Sequence, residues 1–393
     1  MNSKWLYTVG GFLAFFAFGV IDNLKGPLLP EMLRGDGLSD SQAGAVVLAA
    51  YIGFVVATVA SGFLADILTN RTVVWISGIC LTFGTLGIRW NSDYSSILAW
   101  MAIIGYGLGS IELGANGLMI ELHTHARGRY LNLLSVFHGC GSLIVPLVAA
   151  WLIQRGHSWQ SIYAAALVLA VPLLVIFWPV RRVVSSEPSS TEARPSRLSA
   201  RQLLYRGFNR VMLNYYVTIA AYVATELSVG AWLMEFLQRE RQMSVSISSL
   251  YLSAFFVLLM LGRLIGAVIV EKLDYLVAVA VSLIGSMLCL AIGLWSGDGM
   301  VFFLSISGFC MSIAFPTLTA AVTRLHPQGT GSILGILFAA GGIGGAVGPW
   351  IVGLVSTAYG LQIGLSATLL FATLSLVGVM VARRFECTSP RLK

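Results

Sequence analysis

The sequence has very little charge. Only 10% of its 393 residues are Asp, Glu, Lys or Arg, whereas 57% are hydrophobic. A soluble domain carries about 25% charged residues, so this composition excludes a soluble enzyme and indicates an integral membrane protein. A helix needs about 20 apolar residues to cross a bilayer, and the chain has room for roughly twelve such helices. We therefore expect an all-α membrane protein embedded in a lipid bilayer.

Cysteine is also scarce, with five residues in the whole chain. None of them has the CxxC spacing of a metal site, and they form no disulfide framework. No catalytic triad or metal cluster is visible, so we expect neither an enzyme nor a bound cofactor or metal. The net charge of +7 comes from basic residues in loops, which indicates membrane orientation rather than binding of nucleic acid.

Long apolar windows occur twelve times. They predict spans near residues 5–30, 42–65, 72–90, 95–120, 130–153, 160–180, 208–237, 247–270, 275–295, 299–322, 331–356 and 362–382. The first window reads as a transmembrane helix rather than a removable signal peptide, because no small-residue cleavage site ends it. With a cytoplasmic N-terminus, 17 Lys and Arg lie on the inner side and five on the outer side. The positive-inside rule then predicts an inner (plasma) membrane protein with both termini in the cytoplasm.

One long polar segment, residues 181–206, divides the chain into halves at 1–180 and 207–393. We expect two six-helix bundles joined by a cytoplasmic linker. A weak internal repeat with a constant offset of 203 residues supports two related halves: Gly139, Gly141 and Pro146 recur as Gly342, Gly344 and Pro349. Parallel repetition of six-helix halves is typical of major facilitator transporters.

Three predicted spans carry an acidic residue near their middle: Asp22, Glu112 and Glu226. A charge at membrane depth costs about 2.5–3.5 kcal/mol on insertion scales, so such a residue normally faces a cavity, a partner or water. Three of them predict a transporter coupled to an ion, whereas a non-transporting sensor or scaffold would need none. Lys25 lies three residues after Asp22, so the pair is either a satisfied internal ion pair or a coupling-ion site with a modulating cation.

The segment Gly62-Phe63-Leu64-Ala65-Asp66, followed by Arg71, resembles the loop signature of the major facilitator superfamily, although Ile67 replaces the usual arginine after the acid. Its acid and base would latch one side of the protein. Arg263 after Gly262 resembles the partial counterpart in the second half. The resemblance implies gating roles for Asp66, Arg71 and Arg263, and a chance match in a polar loop is the alternative.

The stretch from Glu112 to Asn116, with Arg129 to Gly139 after it, resembles the fucose permease group of this superfamily. That group implies a proton-coupled sugar symporter, with Asp22 and Glu112 as proton and sugar sites. Tyr222 to Trp232 resembles the related sodium-dependent glucose transporter-like proteins. Where the group often has an amide in the fifth span, this chain has His138, which could titrate or simply line the cavity.

We therefore predict a monomeric secondary transporter that moves a small polar solute, most plainly a sugar, by alternating access coupled to H⁺ or Na⁺. The alternative is a proton-coupled exporter of a drug, siderophore or other metabolite. The predicted coupling-ion residues are Asp22, Glu112 and Glu226. The predicted substrate-binding residues are Asp22, Asn23, Lys25, Glu112, Asn116, Asn132, His138, Tyr222, Glu226 and Trp232. Trp232 and Tyr222 could stack on a sugar or only pack.

Overall fold

The computed structural model describes residues 3–67, 69–90, 93–123, 127–178, 208–325 and 330–388. These ranges hold twelve helical spans that are long and apolar enough to cross a membrane, as predicted, and they contain no strand. The predicted linker at 181–206 lies outside them, so the division of the chain at that segment stays a prediction.

We number the spans in chain order. Span 1 consists of Ser3–Asn23 and Lys25–Gly35, span 2 is Asp40–Ile67, span 3 is Asn70–Trp90, span 4 is Tyr94–Leu122, span 5 is Arg127–Gln154, span 6 consists of Trp159–Ala165 and Leu167–Ile176, span 7 is Arg210–Arg239, span 8 is Val245–Ile269, span 9 is Tyr275–Trp295, span 10 consists of Phe302–Met311 and Ala314–Leu325, span 11 is Thr330–Tyr359 and span 12 is Leu361–Thr388.

Short polar side chains begin several of these helices. The residues Asp93, Ser158, Asn209, Ser244 and Asp274 each accept a hydrogen bond from the backbone N–H three positions later. The first turn of a helix has N–H groups without helical partners, and such a cap satisfies one of them. The local sequence therefore determines where these helices begin.

Span 1 is interrupted at Leu24. Pro27 has no N–H, so the carbonyl of Asn23 loses its helical partner and the chain cannot continue as one regular helix. The interruption lies between Asp22 and Lys25, and the two side chains face each other across it.

Span 10 is interrupted after Met311 for the same reason, since Pro316 cannot donate to the carbonyl of Ser312. Carbonyls near this interruption accept hydrogen bonds from other spans. The hydroxyl of Tyr222 in span 7 donates to Met311, and that of Ser282 in span 9 donates to Cys310.

Spans 1–6 and spans 7–12 each surround an apolar core. Glycines let the helix backbones within each bundle approach closely. A side chain on Gly53 of span 2 would collide with the carbonyl of Ala102 in span 4, and one on Gly344 of span 11 would collide with that of Ala220 in span 7. The molecule is thus two six-helix bundles, as predicted.

The bundles meet at one end of the molecule. We call the end that carries Asp40 and Arg239 the Asp40 end, and the opposite end, which carries Arg71, the Arg71 end. The core of the second bundle continues towards the Asp40 end onto side chains of spans 1 and 2, namely Leu29, Ala43, Val47 and Tyr51.

Candidate functional site

Asp22 is held by a cation and a hydroxyl. The Nζ of Lys25 lies 2.5 Å from its Oδ1, and the Tyr51 hydroxyl donates to its Oδ2 at 3.2 Å. Lys25 also lies 4.1 Å above the centre of the Tyr51 ring. The Lys25 and Asp22 side chains are 8% and 12% exposed. In this conformation Asp22 and Lys25 therefore form the internal ion pair that was one of the two predicted alternatives.

Asn23 connects span 1 to span 5. Its Nδ2 donates to the carbonyl of Gly19 at 2.9 Å and to the hydroxyl of Ser142 at 2.8 Å. These bonds hold the amide beside the interruption in span 1 and fix its orientation against the neighbouring helix.

Glu112 has an amide for a partner. The Nδ2 of Asn116, one turn later in span 4, donates to the backbone carbonyl of Glu112 at 2.6 Å and to its Oε1 at 3.2 Å. Within the described ranges no lysine or arginine lies at ion-pair distance from this carboxylate. Its side chain is partly exposed and lies within electrostatic range of Asp22.

Glu226 is paired with Arg263 of span 8, whose Nη2 lies 3.3 Å from Oε1. The Tyr222 hydroxyl lies 2.5 Å from Oε2 of the same carboxylate and 2.8 Å from the carbonyl of Met311. Because a hydroxyl has one hydrogen, two acceptors compete for it. The ring of Tyr222 is fully buried, so the hydroxyl is the part of this residue that reaches the site.

Two residues link these groups across the bundles. Tyr51 lies within electrostatic range of both Asp22 and Glu226. His138 of span 5 lies within range of both Asp22 and Arg263. The acids from spans 1, 4 and 7 therefore converge at the interface of the two bundles, together with two cations.

Aromatic rings adjoin the polar groups. Phe18 packs edge-on against His138 with ring centres 4.7 Å apart. The ring centre of Phe54 lies 6.1 Å from that of Phe18 and 6.2 Å from that of Tyr51. Sequence reasoning missed these three aromatic residues, because an aromatic side chain in an apolar span is not distinctive without its neighbours.

Trp232 lies away from this cluster. It is fully buried, and its Nε1 donates to the carbonyl of Pro349 in span 11 at 3.0 Å. In this conformation the side chain packs span 7 against span 11, which is one of the two predicted alternatives, and its contact with substrate stays a prediction.

The predicted gating residues separate in the structure. Arg263 pairs with Glu226 in the cluster, and its predicted role in a latch of the second half stays a prediction. Arg71 stacks on Tyr7 at the Arg71 end, with Cζ 3.9 Å from the ring centre. The side chains of Asp66 and Asn132 lie outside the described part, so their predicted roles stay predictions.

An ion-pair network that sequence reasoning missed joins the bundles at the Asp40 end. Arg239 of span 7 donates to both carboxylate oxygens of Asp40 in span 2, at 2.8 and 2.7 Å. Glu235 lies 3.6 Å from Arg239 and 3.9 Å from Arg34. Arg34 also donates to Gln238 at 2.6 Å. These contacts hold the two bundles together at this end.

Comparison with known proteins is consistent with this architecture. The sequence profile of the Major Facilitator Superfamily matches residues 9–349 and 215–392. The chain is 24% identical over 385 residues to the cis,cis-muconate transport protein of Acinetobacter baylyi, covering 94% of this chain and 92% of that protein. It is 25% identical over 383 residues to the L-fucose-proton symporter of Escherichia coli, covering 88% and 86%.

The fold also matches a solved structure. A bacterial homolog of the human lysosomal transporter Spinster, solved in an inward-facing and unoccupied conformation, superimposes with a TM-score of 0.82 at 14% identity over 99% of both chains. Two bundles of six spans, an acidic cluster between them and a profile match over most of the sequence lead to one conclusion: the chain belongs to the major facilitator superfamily of membrane transporters.

Proposed function

We propose that this chain is a symporter that moves a small polar, sugar-like solute together with a proton, by alternating access of the site between its two bundles. The observation that carries the proposal is the convergence of three acids from different spans, two of them paired with a cation and one with an amide. The relative named as an L-fucose-proton symporter supports both the solute class and the coupling ion. Sodium is the alternative ion.

Glu112 is the acid that we assign to the coupling proton. Asp22 and Glu226 each have a cation that compensates their charge, whereas the carboxylate of Glu112 has the Asn116 amide. An amide N–H can donate to a carboxylate and equally to the carbonyl oxygen of a carboxylic acid. Asn116 therefore holds the side chain in place in both protonation states.

The solute would bind between the bundles. Asn116 and His138 offer hydrogen bonds to hydroxyl groups, and the partly exposed ring of Phe54 offers an apolar surface for the face of a sugar ring. Asp22 and Lys25 border the same space, since their ion pair lies beside His138. Asn23 supports this wall through its bond to Ser142.

The orientation follows from loop charge. The positive-inside rule places the Arg71 end in the cytoplasm of a plasma-membrane protein, and the closed Asp40 end outside. A symporter would then import the solute together with an inward-moving proton, whereas an exporter would exchange the solute for that proton. A proton that crosses a potential of about 100 mV releases roughly 2.3 kcal/mol, which is sufficient for modest accumulation of a neutral solute. We propose that the chain works as a monomer, with Asp66 and Arg71 as gating residues.

The test uses proteoliposomes with labelled L-fucose and D-glucose, with proton and sodium gradients imposed separately and flux recorded in both directions. Glu112→Gln should abolish accumulation against a gradient while exchange of solute is retained, because glutamine keeps the shape and cannot release a proton. Asp93→Asn is the matched control, since asparagine retains the helix cap outside the membrane. Uphill transport by Glu112→Gln would remove this residue from coupling, and proton-driven efflux alone would identify an exporter.

A further inference from the structure

Arg263 has more hydrogen-bond donors than its surroundings use. Its Nη2 contacts Glu226 at 3.3 Å, which is longer than the about 2.7–2.9 Å of a strong charge-assisted bond. Its Nε is buried and has no acceptor among the described residues. The side chain as a whole is 40% exposed. A guanidinium at membrane depth with unused donors and an open face is suited to a further anionic group.

Glu226 can release this arginine by taking up a proton. While the carboxylate is charged, it competes with the Met311 carbonyl for the single hydrogen of the Tyr222 hydroxyl. When Oε2 binds a proton from solution, the new O–H donates to the oxygen of Tyr222. The tyrosine hydrogen then belongs to Met311 alone, at 2.8 Å. Every donor in this chain of bonds then has an acceptor. Arg263 keeps the oxygens of Glu226 and Tyr222 as neutral neighbours and, within the described part of the chain, has no opposing charge beside it.

We propose that the transported solute carries a carboxylate, and that Arg263 binds this group when Glu226 is protonated. The inference rests on the proposed sugar-like symport and narrows its solute to a hydroxylated carboxylate such as a sugar acid. The planar guanidinium can hold a carboxylate by two parallel hydrogen bonds. In the loaded site the solute carboxylate takes the place of Glu226 on Arg263, and the proton neutralises Glu226. The loaded site therefore has the same net charge as the empty one.

Among the charged groups around Arg263, Glu226 is the one that competes with the solute carboxylate. Tyr51 of span 2 faces Glu226 and is already bonded to Asp22. Asp22 is in turn neutralised by Lys25. From span 10 the facing group is a neutral carbonyl, and from span 5 it is His138, which lies near Arg263 and carries no negative charge. Glu112 lies near Asp22 and bonds to Asn116.

The experiment measures binding to the purified full-length chain by its thermal unfolding temperature, at pH 5.5 and 7.5 and constant ionic strength. The probes are matched pairs: D-glucuronate with D-glucose, and D-galacturonate with D-galactose. Each uronate is ionised at both pH values and differs from its hexose only at one carbon. We expect the uronates to raise the unfolding temperature of the wild type, and to raise it more at pH 5.5 than at pH 7.5, because a bound ligand raises stability by mass action and this one binds together with a proton.

Variants separate the roles of the two residues. Arg263→Gln should weaken uronate binding about 30-fold or more, as the loss of a charged partner does, and Arg263→Lys should weaken it less. Glu226→Gln should reduce the pH dependence of uronate binding to that of the paired hexose, which reports the proton on Glu112, and a merely structural role would not do this. Arg155→Gln is the matched control, since Arg155 stacks on Trp151 at the Asp40 end.

The outcomes distinguish this inference from the proposed function. If the hexoses bind and the uronates do not, or if Arg263→Gln and Arg263→Lys leave uronate binding unchanged, the carboxylate inference is overturned and sugar symport stands. If neither hexose nor uronate binds, both fall. Uronate binding by Glu226→Gln that still depends on pH more strongly than hexose binding does would also overturn the exchange between Glu226 and the solute.

Discussion

At the scale of single residues, some polar groups of this chain are satisfied by specific neighbours in other spans. His123, just past the end of span 4, shows this most clearly. The Thr8 hydroxyl donates to the carbonyl of Lys4 at 2.8 Å, so its oxygen is free to accept from the Nε2–H of His123, also at 2.8 Å. The imidazole stacks on Tyr130 as well. The neutral ring thus joins the starts of spans 1 and 5 to the end of span 4.

Protonation of His123 should destabilise the protein. Burial and, to a lesser extent, the charge of Lys4 lower the pKa of His123 below its ordinary value of 6.5. The folded chain then binds fewer protons than the unfolded chain, so the free energy of unfolding rises with pH and is lost as pH falls below about 6.5. Between pH 7.5 and 5.5 the unfolding temperature should fall more for the wild type than for His123→Gln.

Glutamine is a matched replacement, because its amide can donate to Thr8 and does not titrate in this range. An equal pH dependence in His123→Gln and the wild type would show that the imidazole does not contribute to it.

At the scale of elements, interrupted helices and close helix pairs position the site. The interruption in span 1 places Asp22 and Lys25 opposite each other, and the interruption in span 10 supplies the carbonyl that Tyr222 uses. Spans 7 and 11 pack through glycine and through Trp232, which donates to a carbonyl of the neighbouring span. Packing at this pair holds Glu226 at its depth in the membrane.

Trp232 should therefore matter for stability and little for solute affinity. Trp232→Phe removes the hydrogen bond to Pro349 and leaves that carbonyl with its helical partner alone, which should cost about 0.5–1.5 kcal/mol of unfolding free energy. Denaturant unfolding in detergent measures the stability, and a solute-dependent shift in unfolding temperature measures the affinity. A fall in affinity with unchanged stability would return Trp232 to the substrate site and contradict its placement here.

At the scale of the whole molecule, the network at the Asp40 end holds the two bundles together. Asp40 is buried, and its bidentate contact with Arg239 joins residues 199 positions apart in the chain. In a transporter that rocks between two states, such a contact favours the state in which this end is closed. The site between the bundles would then be accessible from the Asp40 end only while this network is broken.

Asp40→Asn should shift the chain towards the state that is open at the Asp40 end. The loss of a charged hydrogen-bond partner is worth about 1.5–3 kcal/mol, a shift of roughly 10- to 150-fold in the ratio of the two states. Electron paramagnetic resonance between spin labels at the exposed Ser95 and Gly299 measures the separation of the bundles. Longer distances should become more populated.

The charge-reversed pair, Asp40→Arg with Arg239→Asp, should restore the short distances in part, because it re-forms the contact with opposite polarity. Unchanged distances in Asp40→Asn would show that packing alone holds this end closed.

Much of this architecture is a local property of the chain. Twelve apolar windows predict the twelve spans, because bilayer thickness sets the length of a spanning helix. The three acids are conspicuous, since charge is costly in such segments. Spacing of three residues in one helix was enough to suggest the contact between Asp22 and Lys25.

The remaining features depend on how the helices are rotated and paired. An apolar span has no polar face that orients it, so the sequence could not distinguish Trp232, which packs against span 11, from Tyr222, whose hydroxyl reaches Glu226. The pairing of Arg263 with Glu226 and that of Asp40 with Arg239 join separate spans. Such contacts exist only after the bundles have packed, because residues distant in sequence meet through tertiary structure rather than through helical spacing.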